Sequence, residues 1–312
     1  MRPDTKLDLV TGAFSYSGSY LAERLLASGR QVRTLTFHPD RPHPLRGQVE
    51  TLRYRFDDPR ALSHALDGVT TLYNTYWVRF NHGSTTYEGA IANSRMLFDA
   101  ARRAGVQRIV HVSIANASID STLPYYRGKA LVERALGEAG LPYSVVRPTW
   151  IFGGDHEILA NNIAWVLRHM PVFAIPGNGR YPVQPVHVDD LVAICLETAQ
   201  DDGNAILDAA GPETMTFEEL VKAIRRAIGA RTPLVHLPLI AMAGVARALG
   251  VVVRDVVLTP DEIRGLTAGL LVSHHPPRGR IAFSEWLAEH ATSLGRSYAS
   301  ELQRHYSPLT AR

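Results

Sequence analysis

The sequence predicts an α/β fold, a doubly wound parallel sheet with a smaller, mainly helical C-terminal cap. Three observations predict it. Apolar runs of strand length alternate with amphipathic runs of helix length from Leu7 to Pro148. Each of the first four helical runs is followed by a glycine (Gly29, Gly68, Gly105, Gly140), where a helix end wants a left-handed residue. A turn bounded by Gly12 and Gly18 leads straight from the first strand into the first helix.

The expected strands are Leu7–Thr11, Val32–Phe37, Thr51–Phe56, Thr70–Thr75, Arg108–Ser113 and Tyr143–Arg147. The helices between them span Ser17–Ser28, Pro59–Leu66, Gly89–Ala104 and Pro124–Ala139. After Pro148 the rhythm loosens. A helix at His156–His169 leads to a short strand near Val183–Val188 and a helix beginning at Asp189, and Ala205–Ala209 reads as another strand. Thr216 and Glu219 form a capping box that opens a helix over Phe217–Ile228. From Pro233 the chain reads as helical pieces separated by turns. Within it, Leu237–Leu249 has the pattern of a cap helix packed into a core, with a partner or membrane surface as the other role. The expected domains are residues 1–148, rejoined by about 180–205, and a cap from 149–179 and 206–312.

Of the 312 residues, 46% are hydrophobic and 20% charged, which is globular composition. A net charge of +3 spread along the chain argues against a nucleic-acid-binding arm. Of the 33 basic residues only Lys6, Lys129 and Lys222 are lysines. The one cysteine, Cys195, excludes an intrachain disulfide and fits a reducing cytoplasm. No apolar signal segment opens the chain, and the most apolar stretch, Leu237–Leu258, is broken by Pro238, Arg247 and Arg254, so no transmembrane segment is expected.

In the first turn, Gly12 makes the bend out of the strand and Gly18 lets the helix pack closely on the sheet. Between them Phe14, Ser15 and Tyr16 surround a helix N-terminus whose unpaired N–H groups suit a pyrophosphate, the arrangement of a Rossmann dinucleotide site. The spacing Gly12-x-x-Ser15-x-x-Gly18 resembles the Gly-x-x-Gly-x-x-Gly of extended and atypical short-chain dehydrogenases/reductases. The resemblance continues through Gly105–Ser113, Tyr125-x-x-x-Lys129, Gly140–Pro148, Val186–Asp190 and Gly211-Pro212-Glu213. It covers most of the chain and points to epimerase/dehydratase-like, nitrogen-regulator-like and complex I accessory-subunit-like members. It implies a nicotinamide dinucleotide as cofactor, with Pro148 among its contacts.

Three positions depart from that pattern. Ser15 replaces the middle glycine, so its side chain either crowds the pyrophosphate or donates a hydroxyl to it. Arg55 stands where many relatives point an aspartate at the adenine. Thr36 ends the second strand where NAD-preferring relatives carry an acid. With Arg33, His38 and Arg41 near enough to form a positive rim, NADP(H) is favoured over NAD(H), although Phe37 occupies the place of the usual arginine. The other role for Arg33 and Arg41 is a solvated surface charge.

Tyr125 and Lys129 lie one helical turn apart on one face. The resemblance implies that Tyr125 is the acid/base for a substrate oxygen and that Lys129 holds the nicotinamide ribose and favours the phenolate. In a chain with so few lysines, a lysine in this register is not a generic surface charge, and a compact ammonium suits two hydroxyls better than a guanidinium. Tyr126 is out of register. Ser113 matches the substrate-binding serine or merely ends its strand. Ile114 follows it where relatives often carry the active hydroxyl, leaving Asn116 and Ser118 as substitutes.

His111, inside a buried strand, reads as a core residue. The run His38–Pro44 reads as a loop beside the adenosine ribose rather than a metal site. Tyr76, Trp77, Phe80 and Tyr87 form either a lid or apolar substrate wall, or core, and Trp150, Phe152 and Trp165 carry the same ambiguity. Two functions follow. One is an NAD(P)-dependent oxidoreductase acting on a small to medium, partly apolar carbonyl, alcohol or enone. The other is a non-catalytic NADP(H)-binding redox sensor or accessory subunit with a regulated protein partner. Neither reading conflicts with a homodimer.

Overall fold

A strand covered by helices on both faces needs apolar residues on both. Strand β1 (Leu7–Thr11) has them, its last four residues being buried. The computed structural model describes residues 6–155 and 157–306. After β1 come α1 (Tyr16–Ala27), β2 (Gln31–Thr36), β3 (Glu50–Arg53), α2 (Pro59–Leu66), β4 (Val69–Asn74), α3 (Tyr87–Arg103), β5 (Arg108–Val112), α4 (Pro124–Glu138) and β6 (Tyr143–Pro148). Then follow β7 (Trp150–Phe152), α5 (Leu159–His169), β8 (Phe173–Pro176), β9 (Pro182–Val183), β10 (Pro185–His187), α6 (Val188–Thr198) and β11 (Ala205–Ala209). The chain continues through β12 (Met215–Thr216), α7 (Phe217–Ala227), β13 (Leu234–Leu237), α8 (Leu239–Val253), α9 (Pro260–Thr267), α10 (Phe283–His290) and α11 (Glu301–His305).

Two compact units divide the chain. The first runs to Pro148 and takes in Leu191–Asp208; the second holds Thr149–Asp190 and the residues from Ala209 on. The central sheet has seven strands in the order β11-β6-β5-β4-β1-β2-β3, and the β1–β2, β1–β4, β2–β3, β4–β5 and β5–β6 pairs are parallel. The strand order therefore reverses between β1 and β4, the switch point where open α/β sheets take their ligands. Gly29, Gly68, Gly105 and Gly140 follow the four helices with φ between +70 and +81°.

Leu9, Leu35, Leu72 and Ile109, one from each of four strands, are buried together with Leu97, Phe98 and Leu136 from the covering helices. Burying one such side chain contributes about 1.5–3 kcal/mol. Cys195 is fully buried, which pushes its thiol up to about 12 and makes it a packing residue. In the second unit Trp150 and Phe152 are buried in the core, and Phe152 meets Phe283 edge-on at 5.1 Å. Trp150 and Phe152 thus take the packing reading, whereas half-buried Trp165 stacks on His169 within α5.

Several expectations are corrected. Phe37 and the run Tyr54–Phe56 lie beyond their strands, because their rings gather in an aromatic cluster past the strand ends. The predicted start at His156 lies outside the described residues. The chain after Pro233 opens with strand β13, which pairs in parallel with β8. Pro233 and Pro238 bracket these four residues and keep a helix from running through them. The capping box at Thr216 and Glu219 is formed on both sides, and α7 begins there. Helix α8 does not bury the face its composition suggested. Only Met242 and Ala246 are buried, whereas Ile240 is 92% and Val251 75% exposed.

One ion pair within β1 and its neighbours bears on stability. The carboxylate of Asp8 is fully buried and accepts from both Nε and Nη2 of Arg30. Burial raises its pKa and Arg30 opposes that rise. Removing one partner of a buried pair strands the other charge. Arg30→Met is expected to lower stability by about 3–5 kcal/mol, measured by denaturant unfolding; a loss below about 1 kcal/mol would contradict this account.

Candidate functional site

The loop after β1 is held from both flanks. The Gly12 amide donates to the Leu35 carbonyl (2.9 Å), and the Ala13 amide donates to the Thr34 hydroxyl (3.0 Å), which itself donates to the Val10 carbonyl. On the other side, the amides of Thr75 and Tyr76 donate to the Thr11 hydroxyl at 2.7 and 3.0 Å. Gly12 adopts φ +71°. A Cβ on Gly18 would stand 2.2 Å from the Gly12 carbonyl oxygen, so any other residue there would push α1 off the loop. The space between β1 and α1 is thus a cradle that only glycines leave open, and it fits a pyrophosphate at the helix N-terminus.

Ser15 is the N-cap of α1, yet its side chain makes no cap hydrogen bond. Its hydroxyl donates to the Gly12 carbonyl at 2.6 Å. The hydroxyl thus sits between Gly12 and Gly18, on the inside of the turn. Phe14 and Tyr16 flank it, and the carbonyl of Phe14 accepts from Nη1 of Arg41 at 3.4 Å. The ring of His43 lies 5.2 Å from that of Phe14. The loop after β2 therefore packs on the loop after β1 and brings Arg41 to it.

Thr36 is buried, and its hydroxyl accepts from the amide of His38 at 3.1 Å. Arg33 forms no part of a positive rim. Its side chain runs from mid-strand to Glu50 (2.8 Å) and to the carbonyls of Ala65 and Asp67 at the end of α2, where a cation satisfies unpaired acceptors. Arg55 is exposed beside Asp57 at 3.9 Å.

In α4 the register of the Tyr-Lys pair is as the sequence spaced it. Lys129 is buried, Tyr126 is buried, and Tyr125 is half-buried. Nζ of Lys129 donates to the Val112 carbonyl at 2.9 Å and lies 5.0 Å from the centre of the Trp77 ring. Gly128 makes that approach possible, since a Cβ there would meet Trp77 at 2.8 Å. Trp77 stacks on Tyr87 (5.8 Å, 15°), and Tyr125 stands edge-on to both, at 5.9 and 6.1 Å. Burial pushes the Lys129 ammonium down to about 7, with Glu133 pulling the other way.

Ser113 is buried and donates its hydroxyl to Oε1 of Glu133. Nε of Arg147 donates to the same oxygen at 3.0 Å, and its Nη2 donates to Oε2. Ile114 follows, half-buried, and the Ala115 amide donates to the carbonyl of Pro148 at 2.8 Å, joining the ends of β5 and β6. Asn116 adopts φ +59° and Ser118 is exposed. His111 is fully buried against Asn74, and burial holds its imidazole down at about 3, so it is neutral core. Glu133 and Arg147 were overlooked in the sequence; Glu133 was legible, standing one turn after Lys129 on the same face. The approach of Trp77 to Lys129 had no local signal. Among the described residues no group of His, Cys, Asp or Glu is arranged to hold a metal, and no helix is long and apolar enough to cross a membrane.

Residues 12–161 match a family model described as NAD(P)H-binding. The chain is 25% identical over 283 residues to the mitochondrial NADH dehydrogenase [ubiquinone] 1 alpha subcomplex subunit 9 of Arabidopsis thaliana, covering 85% of this chain and 70% of that protein. It is 26% identical over 297 residues to the (4-alkanoyl-5-oxo-2,5-dihydrofuran-3-yl)methyl phosphate reductase of Streptomyces griseus, covering 92% and 98%. The fold is shared with the Citrobacter sp. triphenylmethane reductase complexed with NADP(H), at a TM-score of 0.70 and 19% identity over 92% of this chain and 99% of that one. The glycine turn, the sheet order and this match agree that residues 12–161 hold an NAD(P)H-binding domain, and the chain is similar to a complex I subunit and to a reductase.

Proposed function

We propose that this protein is an NADP(H)-dependent oxidoreductase acting on a small to medium, partly apolar carbonyl, alcohol or enone, with Tyr125 as acid/base and Lys129 as its electrostatic partner. The observation that carries the reading is a half-buried phenol one turn from a buried ammonium, both packed on Trp77. A bound nicotinamide supplies or accepts the hydride. Tyr125 gives its proton to the carbonyl oxygen as charge develops there, and Lys129 stabilises the phenolate left behind. Trp77 and Tyr87 wall one side of the phenol with apolar surface. Glu133, held by Arg147, engages Ser113, and we assign Ser113 a positioning role at the end of β5. The reductase relative from Streptomyces griseus supports this class.

A specific observation favours the second reading, a cofactor-binding sensor or accessory subunit. With its hydroxyl given to Glu133, Ser113 has no second proton to donate to a substrate oxygen. Substitution separates the two. For the enzyme, Tyr125→Phe is expected to reduce turnover about 10²–10⁴-fold while cofactor affinity stays nearly unchanged. A Tyr125→Phe protein that turns over at the native rate removes Tyr125 from the chemistry and leaves the sensor.

Charge at Lys129 sets the expected pH dependence. Because burial pushes its pKa down to about 7, the ammonium is present below that pH and is lost above it. The kcat/KM for carbonyl reduction is expected to fall as pH rises through about 7, and Lys129→Met is expected to flatten that limb. A limb that persists unchanged in Lys129→Met belongs to another group.

NADP(H) is the proposed cofactor form because no acid stands at Thr36 and Arg41 reaches the glycine loop. NADPH is expected to bind more tightly than NADH. Arg41→Ala should weaken NADPH by about tenfold, a charge-assisted hydrogen bond's worth, and leave NADH nearly unchanged in calorimetric titration. Equal weakening of both forms would take Arg41 away from the 2′-phosphate.

A further inference from the structure

Among the described residues, the three most exposed large apolar side chains all stand on one helix. Ile240, Val251 and Val252 of α8 are 92%, 75% and 67% exposed. At about 3.6 residues per turn, Ile240, Gly244, Ala248 and Val251 form one line along the helix, with Val252 beside it. The opposite line holds the buried Met242 and Ala246. A helix with apolar residues all round is ordinarily buried. This one packs its inner line and leaves the outer one in solvent, the mark of a surface that binds something.

The charge of the segment says what it binds. No aspartate or glutamate occurs from residue 220 to residue 254, while Arg247 on α8 and Arg254 at its C-cap are both exposed. The acids that follow are engaged elsewhere. Asp255 is buried and accepts from the amides of Glu301 (2.8 Å) and Leu302 (2.9 Å). Asp261 pairs with Arg264, and Glu262 accepts from the Thr259 amide in the capping box of α9. The outer face is therefore apolar with a positive margin. Arg247 stands near the middle of α8, so a two-fold pairing of α8 with a second copy would bring like charges together with no acid to receive them. An anionic bilayer surface offers both things the face can use. Acyl chains receive the aliphatic side chains, and phosphates receive the guanidinium groups, whose stems lie along the apolar surface. The 15 residues of α8 extend about 22 Å, short of the roughly 30 Å of a bilayer core, so the helix would lie in the plane of the surface.

We propose that the outer face of α8 is a docking surface for an anionic lipid bilayer, with Ile240, Val251 and Val252 among the acyl chains and Arg247 and Arg254 at the phosphates. This goes beyond the cofactor-binding reading and does not depend on it.

Cosedimentation of the full chain with vesicles tests it. Vesicles of phosphatidylcholine mixed with phosphatidylglycerol are expected to bind about tenfold more tightly than phosphatidylcholine alone, and added salt should shrink that difference. Ile240→Gln combined with Val251→Gln is expected to weaken binding to the mixed vesicles about tenfold or more. Arg247→Gln combined with Arg254→Gln should bring the mixed vesicles down to the level of phosphatidylcholine. All four side chains are in solvent, so an unchanged Tm is expected in both variants and shows that the fold is intact. Absence of binding to the mixed vesicles would overturn the proposal, as would equal binding to the two kinds of vesicle. Native binding by the Ile240→Gln, Val251→Gln protein would overturn it too, because another surface would then be responsible. A dimer in sedimentation velocity that this variant dissociates, with no vesicle binding, would give the face to a second copy instead.

Discussion

Where α1 meets the end of β1, helix and loop approach so closely that a single methyl group on Gly18 would lie 2.2 Å from the Gly12 carbonyl oxygen. Everything at the cofactor end of the first unit is referred to that contact. It sets the direction of α1 against the sheet, leaves the cradle open, and obliges Gly12 to turn with positive φ. The hydroxyl of Ser15 adds to the same arrangement by bonding the Gly12 carbonyl from inside the loop. Strands β2 and β4 then grip the loop through Thr34 and Thr75, so their exits bring Arg41 on one side and Tyr76 on the other to fixed places beside it.

The second constraint is the burial of Lys129. An ammonium taken out of water keeps its charge only if other groups replace its hydration. Here the Val112 carbonyl, the face of Trp77 and the nearby carboxylate of Glu133 do so in part, and the pKa settles at about 7. A compact ammonium fits between a carbonyl and an indole where a forked guanidinium would not. This gives a physical reason for a lysine in a chain that otherwise uses arginine. The same packing couples Tyr125 to Lys129 through Trp77, so the geometry of the phenol depends on a residue from the loop after β4.

Glu133 links this face of α4 to the sheet. By pairing with Arg147 of β6 and accepting from Ser113 after β5, it fixes the spacing of the two strand ends next to the Tyr-Lys pair. The hydroxyl of Ser113 is thus engaged by an acid at the end of β5.

What the sequence by itself determined is the local part of this protein. Strand and helix rhythm, the glycines at four helix ends, the capping box at Thr216, the glycine turn and the Tyr125–Lys129 register all follow from periods of two or 3.6 residues and from backbone rules at single positions. Only the tertiary structure decided which side chains those elements bring together. Arg33 and Arg41 look alike in the sequence, yet one satisfies carbonyls at the end of α2 and the other reaches the glycine loop. Leu237–Leu249 has core composition, yet its helix leaves Ile240 in solvent, and Leu234–Leu237 becomes a strand because β8 supplies its partners. Trp77 over Lys129, Ser113 on Glu133 and the rings around Phe37 are contacts between segments far apart in the chain. No local period encodes them, because they depend on packing volume and hydrogen-bond supply, which exist only once the sheet has formed.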